Sequence, residues 1–331
     1  MSGALLNSKN ISWMVAGALM LGLPLFANNF FVFQIAAQSL ALGIVALSLV
    51  TLAGFGGMLS LSQMTVAGIA GYAVAIVGVA GKTEDSINFA QPWYIAVLVA
   101  LVLAVAVAVL IGFLAARTQG IYTMMSTLAL GVAFFYLAQQ NLGLFNGFQG
   151  IGRVYAPTIF GINFSKPNAF YYLCLVTAAS CYVFVIFMLR TPFGLALLGV
   201  RDNPRRMSAL GFNVYAHRVA AHAVAGVLAA LGGVLLVWYN GQISPGSISA
   251  SSLINILVLV VLGGMHKPLG AFVGALAFVL VQNFAIDIFS RDRFNLVIGT
   301  VFLIVLFLSP KGLVGIGEKL HALFKPANKG G

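Results

Sequence analysis

From Ile95 to Leu114 the chain runs twenty residues without a charge, an amide or a proline. At about 1.5 Å of rise per residue, a helix of that length matches the roughly 30 Å hydrocarbon core of a bilayer. Ten apolar runs of this kind fall at about 11–27, 31–52, 57–80, 93–115, 120–140, 168–190, 218–240, 250–264, 268–286 and 294–309. Inside lipid every backbone N–H and C=O needs a protein partner, which leaves helices or closed barrels. Barrel strands alternate apolar and polar residues, whereas these runs are continuous, so they predict helices. Charged residues make up only 7% of the chain, against about 25% in an ordinary soluble domain. So few charges cannot cover a water-facing surface. The expected fold is all-α, a polytopic transmembrane helix bundle of about ten spans, with residues 1–331 forming a single transmembrane domain.

Orientation follows from where the cations fall, because Lys and Arg accumulate on the cytoplasmic side. With the N-terminus inside, twelve of the 17 Lys and Arg lie in inner loops and five in outer ones. Four of the six acids lie outside. Both termini are therefore expected in the cytoplasm, and the formal net charge of +11 reads as membrane topology rather than nucleic-acid binding. Lys9 before an apolar run resembles a signal peptide, but with no small-residue cleavage site ahead of a soluble region it reads as an uncleaved first span. Gly54-Phe55-Gly56-Gly57 separates the second and third runs without any charge. The run at 250–264 is short enough to be re-entrant. Cys174 and Cys181 share one apolar run and read as packing residues. Gly270 to Gly274 is a small-xxx-small pattern of the kind that lets helices approach closely.

Only His222 among the ionisable groups is expected deep in the membrane, read as a hydrogen-bonded structural histidine. Buried charges mark proton and ion routes when they occur, so their scarcity argues against a carboxylate relay. Small polar groups fill the interior instead. Ser60, Ser62 and Gln63 follow the glycine break, Thr127 lies on the fifth span, and Ser251 and Asn255 lie at the start of the eighth. They read either as glue between helices or as the wall of a translocation pathway. Gly81-Lys82-Thr83 imitates the end of a phosphate loop, but the required earlier glycine is Ile76, so the pattern fails. With no catalytic constellation and no metal-ligand spacing, the chain is not expected to be an enzyme or to hydrolyse ATP itself. No cofactor is expected in it.

Residues 191–217 form the most informative loop, expected as a cytoplasmic elbow. Pro192 and Gly194 break the preceding helix. Asp202 or Asn203 can cap a short helix, Pro204 suits its first turn and Gly211 its end. Met207 and Leu210 share a face, and Arg205 and Arg206 make the surface basic. Such an elbow suits docking to another protein, or contact with anionic lipid.

Six stretches in order then resemble a known family. Gly57-Met58-Leu59-Ser60-Leu61-Ser62-Gln63, Ala67 to Tyr72, Gly120-Ile121-Tyr122 with Thr127-Leu128-Ala129, Arg201 to Asn213, Ser244-Pro245 with Val260 to Gly264, and Ser309 to Leu313 are similar to motifs of the branched-chain amino acid ABC importer permeases, specifically the LivM-like subunit. Ser62 replaces a usual glycine, and Pro204 and Ser208 replace frequent glutamates.

The resemblance implies a single permease domain in a bacterial inner membrane, carrying branched-chain amino acids or related small amphiphilic solutes. It implies a LivH-like second permease subunit, two ATPase subunits that hold ATP and Mg, and a periplasmic solute-binding protein. The ATPase would grip Arg201, Asp202, Asn203, Arg205, Arg206, Met207, Leu210 and Gly211. Ser60, Ser62, Gln63, Thr127, Ser251 and Asn255 are the expected pathway residues. The alternative is a self-sufficient secondary transporter or channel for a small neutral or anionic solute.

Overall fold

The computed structural model describes residues 17, 19–79, 88–159, 161–288, 299–300, 303 and 312–315. They form an all-α bundle. Its long helices are α1 (Phe31–Phe55), α3 (Trp93–Ala115), α4 (Ile121–Gln140), α5 (Pro167–Arg190) and α8 (Val214–Asn240). Each is long and apolar enough to cross a membrane. Between them lie α2 (Gln63–Val77), α6 (Pro192–Asp202) and α7 (Pro204–Ala209). The bundle continues with α9 (Ala250–Gly263) and α10 (Pro268–Ile288).

Ten independent spans are not what the described residues display. Five helices qualify singly, and a sixth span results if α9 and α10, bent by 115° at their junction, are taken together. The run at 57–80 is interrupted: residues 57–62 are non-helical and α2 has only 15 residues. The first part of the run at 11–27, most of the run at 294–309, both termini, and the Gly81-Lys82-Thr83 pattern lie outside the described residues.

Burial sorts the helices into a core and a rim. The most apolar stretches of α1 and α8 are 78% and 72% buried, whereas those of α3, α4 and α5 are 22–28% buried. The rim helices present Leu98, Val102, Leu110, Val176 and Phe187 outward, as lipid-facing helices do. The core is held by small residues, because lipid gives no hydrophobic drive for helices to associate and close backbone approach has to supply the attraction. α3 turns Ala96, Ala100, Ala104 and Ala108 inward at four-residue spacing. A Cβ added at Gly226 of α8 would stand 2.5 Å from the Ala108 methyl. Gly233 of α8 sits against the Ala67 carbonyl of α2. Gly270 and Gly274 of α10 press on the Gly264 and Leu259 carbonyls, so the small-xxx-small pattern packs α10 into its own bend with α9.

The loop after α4 is folded. A single helical turn, Leu142–Phe145, is capped by Asn141, whose Oδ1 accepts from Leu144 N at 3.0 Å. Ile151–Gly152 then pairs antiparallel with Gln242–Ile243 at the end of α8, fixing the loop over one end of the bundle.

Candidate functional site

The elbow is built by successive caps. Thr191 Oγ1 accepts from Gly194 N at 3.4 Å and opens α6. α6 buries Ala196, Leu197 and Val200. Asn203 Oδ1 accepts from Arg206 N at 3.0 Å and opens α7, with Pro204 in its first turn. Gly211 takes φ +87° as the chain turns out of α7. Asp202, Asn203, Arg205, Arg206, Leu210 and Gly211 are exposed, and α7 buries none of its residues. Arg201 and Met207 are half-buried. Met207 packs on Gly199.

Four of the expected pathway residues gather in one knot at the start of α2. Ser60, Ser62, Gln63 and Thr127 are all buried. Thr127 Oγ1 accepts from Leu61 N at 3.0 Å and donates to Thr123 O at 2.8 Å. Ser60 Oγ and Ser62 Oγ lie 2.9 Å apart, and Ser48 Oγ donates to Gln63 Oε1 at 3.0 Å. The knot ties the non-helical segment 57–62 to α4 on one side and α1 on the other. His222 is buried, packs on Gly112, and donates through Nδ1 to the Arg218 carbonyl at 2.9 Å.

Ser251 and Asn255 stand elsewhere. Ser251 is exposed and hydrogen-bonded to Ser249 at 2.9 Å. Asn255 lines a cavity of about 210 Å³ between α1, α2, α8, α9 and α10. A neighbouring cavity of about 360 Å³ shares Gln38, Tyr239, Asn240 and Gln282 with it and adds Gln34 and Asn283. The polar wall is made of amides, hydroxyls and a phenol, and among the described residues no charged side chain lines either cavity. The floor is apolar, including Leu42, Met64, Ile256 and Leu259. Tyr239 OH donates to Gln34 Oε1 at 2.6 Å, and the Tyr239 ring stacks on Phe33 with centroids 4.8 Å apart.

Gln34, Gln38, Tyr239, Asn240 and Gln282 were not singled out by the sequence reading. A signal was there: Gln34 and Gln38 are four apart in an apolar run, hence on one helix face. The cavity lies near the Gln38 end of α1 and the elbow near its Gly54 end, about 24 Å away at the helical rise. One end of the bundle thus offers a cavity whose described lining is half polar and without charge, suited to a small solute, and the other a solvent-exposed basic knob.

Residues 31–306 match the family model described as the permease component of the branched-chain amino acid transport system. The high-affinity branched-chain amino acid permease protein LivM of Escherichia coli K12 is 25% identical over 251 residues, covering 69% of this chain and 59% of that protein. LivM of Salmonella typhimurium LT2 is 25% identical over 304 residues, covering 85% of this chain and 69% of the relative. The nucleoside ABC transporter permease protein NupC of Lactococcus lactis is 30% identical over 164 residues, covering 48% of this chain and 50% of NupC. No solved structure gives a significant match.

Proposed function

The chain belongs to the permease-component family of branched-chain amino acid transport systems, as a LivM-like ABC permease, and from that premise we propose that it forms the solute pathway of an importer together with a second, LivH-like permease subunit. Two ATPase subunits holding ATP and Mg bind the exposed face of the elbow 191–217, residues 202–211, on the cytoplasmic side. A periplasmic solute-binding protein delivers solute to the opposite end, which carries the folded loop after α4. The full chain makes ten spans in a bacterial inner membrane with both termini inside. The observation that carries this reading is the family match across residues 31–306. The cavity lining supports it, being amide, hydroxyl and apolar among the described residues, as suits transport whose free energy enters from a partner and not from a buried relay. Family membership sets the chain apart from a self-sufficient carrier or channel.

The solute is a branched-chain amino acid or a related small amphiphile. A zwitterion suits amide donors and acceptors with no net charge opposite them, and the apolar floor suits an aliphatic side chain. A nucleoside is the second reading, favoured by the same uncharged wall and by the solute class in the NupC name. Uptake of leucine, guanosine, urea and benzoate by the reconstituted complex decides between them. Leucine accumulation with Gln38→Leu reducing it, while the complex still assembles, supports the first reading. Accumulation by this chain alone under an ion gradient would refute the importer assignment.

A further inference from the structure

Arg201 faces the opposite way from its basic neighbours. Its Nη1 donates to the Gly54 carbonyl at 2.6 Å, while Nε and Nη2 hold Asp202 Oδ1 at 2.9 and 2.8 Å. Gly54 lies in the π-helical turn Thr51–Phe55 that ends α1, where terminal carbonyls lose their own-helix donors. Two further contacts converge there. Gly57, at φ +66°, has no room for a Cβ, which would stand 2.6 Å from Arg201 Cγ. On another side Gly54 abuts the Met265 carbonyl, in the bend between α9 and α10. One guanidinium therefore joins the elbow to the last turn of α1, to the start of segment 57–62, and through Gly54 to the α9–α10 bend. The elements beyond these joints, α2 on one side and α9 with α10 on the other, are walls of the cavity.

We infer that Arg201 is a positioning residue of transport: it pins the elbow to the broken end of α1 and passes elbow movement to both cavity walls, rather than gripping the ATPase. This rests on the reading that the exposed residues 202–211 of the elbow dock an ATPase, and takes Arg201 out of the set expected to grip it. A displaced elbow carries the guanidinium with it. The π turn that ends α1 and the glycine break that follows it are the parts able to yield, since neither holds a regular α-helical hydrogen-bond ladder. The exposed Arg205 and Arg206 are left for the partner.

The test uses the complete permease–ATPase complex in lipid and needs no identified solute. Asn255→Cys places a reporter thiol on the cavity wall, and the native Cys174 and Cys181 are buried. Its rate of labelling by a small maleimide is measured without nucleotide and with a non-hydrolysable ATP analogue. With Arg201 intact the rate changes about fivefold or more, the lower end of usual coupling between distant sites. Arg201→Gln abolishes that change while the ATPase subunits still co-purify and hydrolyse ATP at the parent rate. Arg201→Lys, still able to donate one hydrogen bond to Gly54, restores part of it. A full nucleotide response in Arg201→Gln overturns the inference, as does loss of ATPase subunits from that variant, which would make Arg201 a docking contact. No nucleotide response in the parent, with ATPase bound, overturns it as well. Failure of the parent to retain any ATPase subunit instead overturns the docking reading beneath it.

Discussion

At the scale of single residues, the polar groups inside this bundle do two different jobs. Thr127 serves the backbone: its hydroxyl is the acceptor for the buried Leu61 N–H in a segment with no helical partner to offer. Thr127→Val keeps the shape and removes that acceptor. A buried donor left unsatisfied costs about 1–3 kcal/mol, so a thermal unfolding scan of the purified protein should show a lower midpoint, with Thr127→Ser close to the parent. Gln38, by contrast, faces the cavity, and its replacement by Leu should spare the unfolding midpoint while reducing uptake. Ser60, Gln63 and Thr127 could be picked from sequence because hydroxyls and amides stand out in an apolar run. Whether a hydroxyl faces a backbone amide or open space depends on helix crossings, which the local run does not encode. Tyr239 and Asn240 were missed for a related reason: at the end of a long apolar run, an aromatic and an amide look like ordinary interfacial residues.

Among the elements, the long helices were legible because hydrocarbon thickness sets a length and apolar runs either meet it or do not. Interruptions were harder. The glycine-rich tetrapeptide 54–57 marks the right neighbourhood, yet α1 continues through Gly54 to Phe55 and the real gap is 57–62. Packing decides this: Gly54 is helical because its missing side chain makes room for the Met265 carbonyl, whatever the intrinsic preference of glycine. The joint of α3 and α8 shows the same rule with a measurable consequence. Gly226→Ala would bring a methyl to 2.5 Å from the Ala108 Cβ, and overpacking of this kind costs about 1–3 kcal/mol. Adding Ala108→Gly removes the opposing methyl. The double variant should recover most of the lost unfolding midpoint, and the two changes should be strongly non-additive, as expected for residues in contact. Simple additivity would mean that α3 and α8 do not meet at this point.

For the whole molecule, the decisive quantity is which end faces which compartment. The distribution of Lys and Arg leads us to expect the exposed Arg205 and Arg206 inside, and the folded loop bearing Phe148 and Tyr155 outside. Single cysteines can report this directly, since both native cysteines are buried and give little background. Phe148 is 76% exposed, and Arg205 is exposed as well, so neither Phe148→Cys nor Arg205→Cys disturbs a packed core. In intact spheroplasts a membrane-impermeant maleimide should label Phe148→Cys and leave Arg205→Cys untouched. In inverted vesicles the pattern should reverse. The cavity lies toward the Phe148 end, with the elbow about 24 Å along α1, so this one measurement also shows which compartment the cavity adjoins. Labelling of Arg205→Cys from outside would put the basic elbow where no ATPase can reach it. The asymmetry of Lys and Arg would then be an accident of loop composition, and the importer mechanism would fail at its first step.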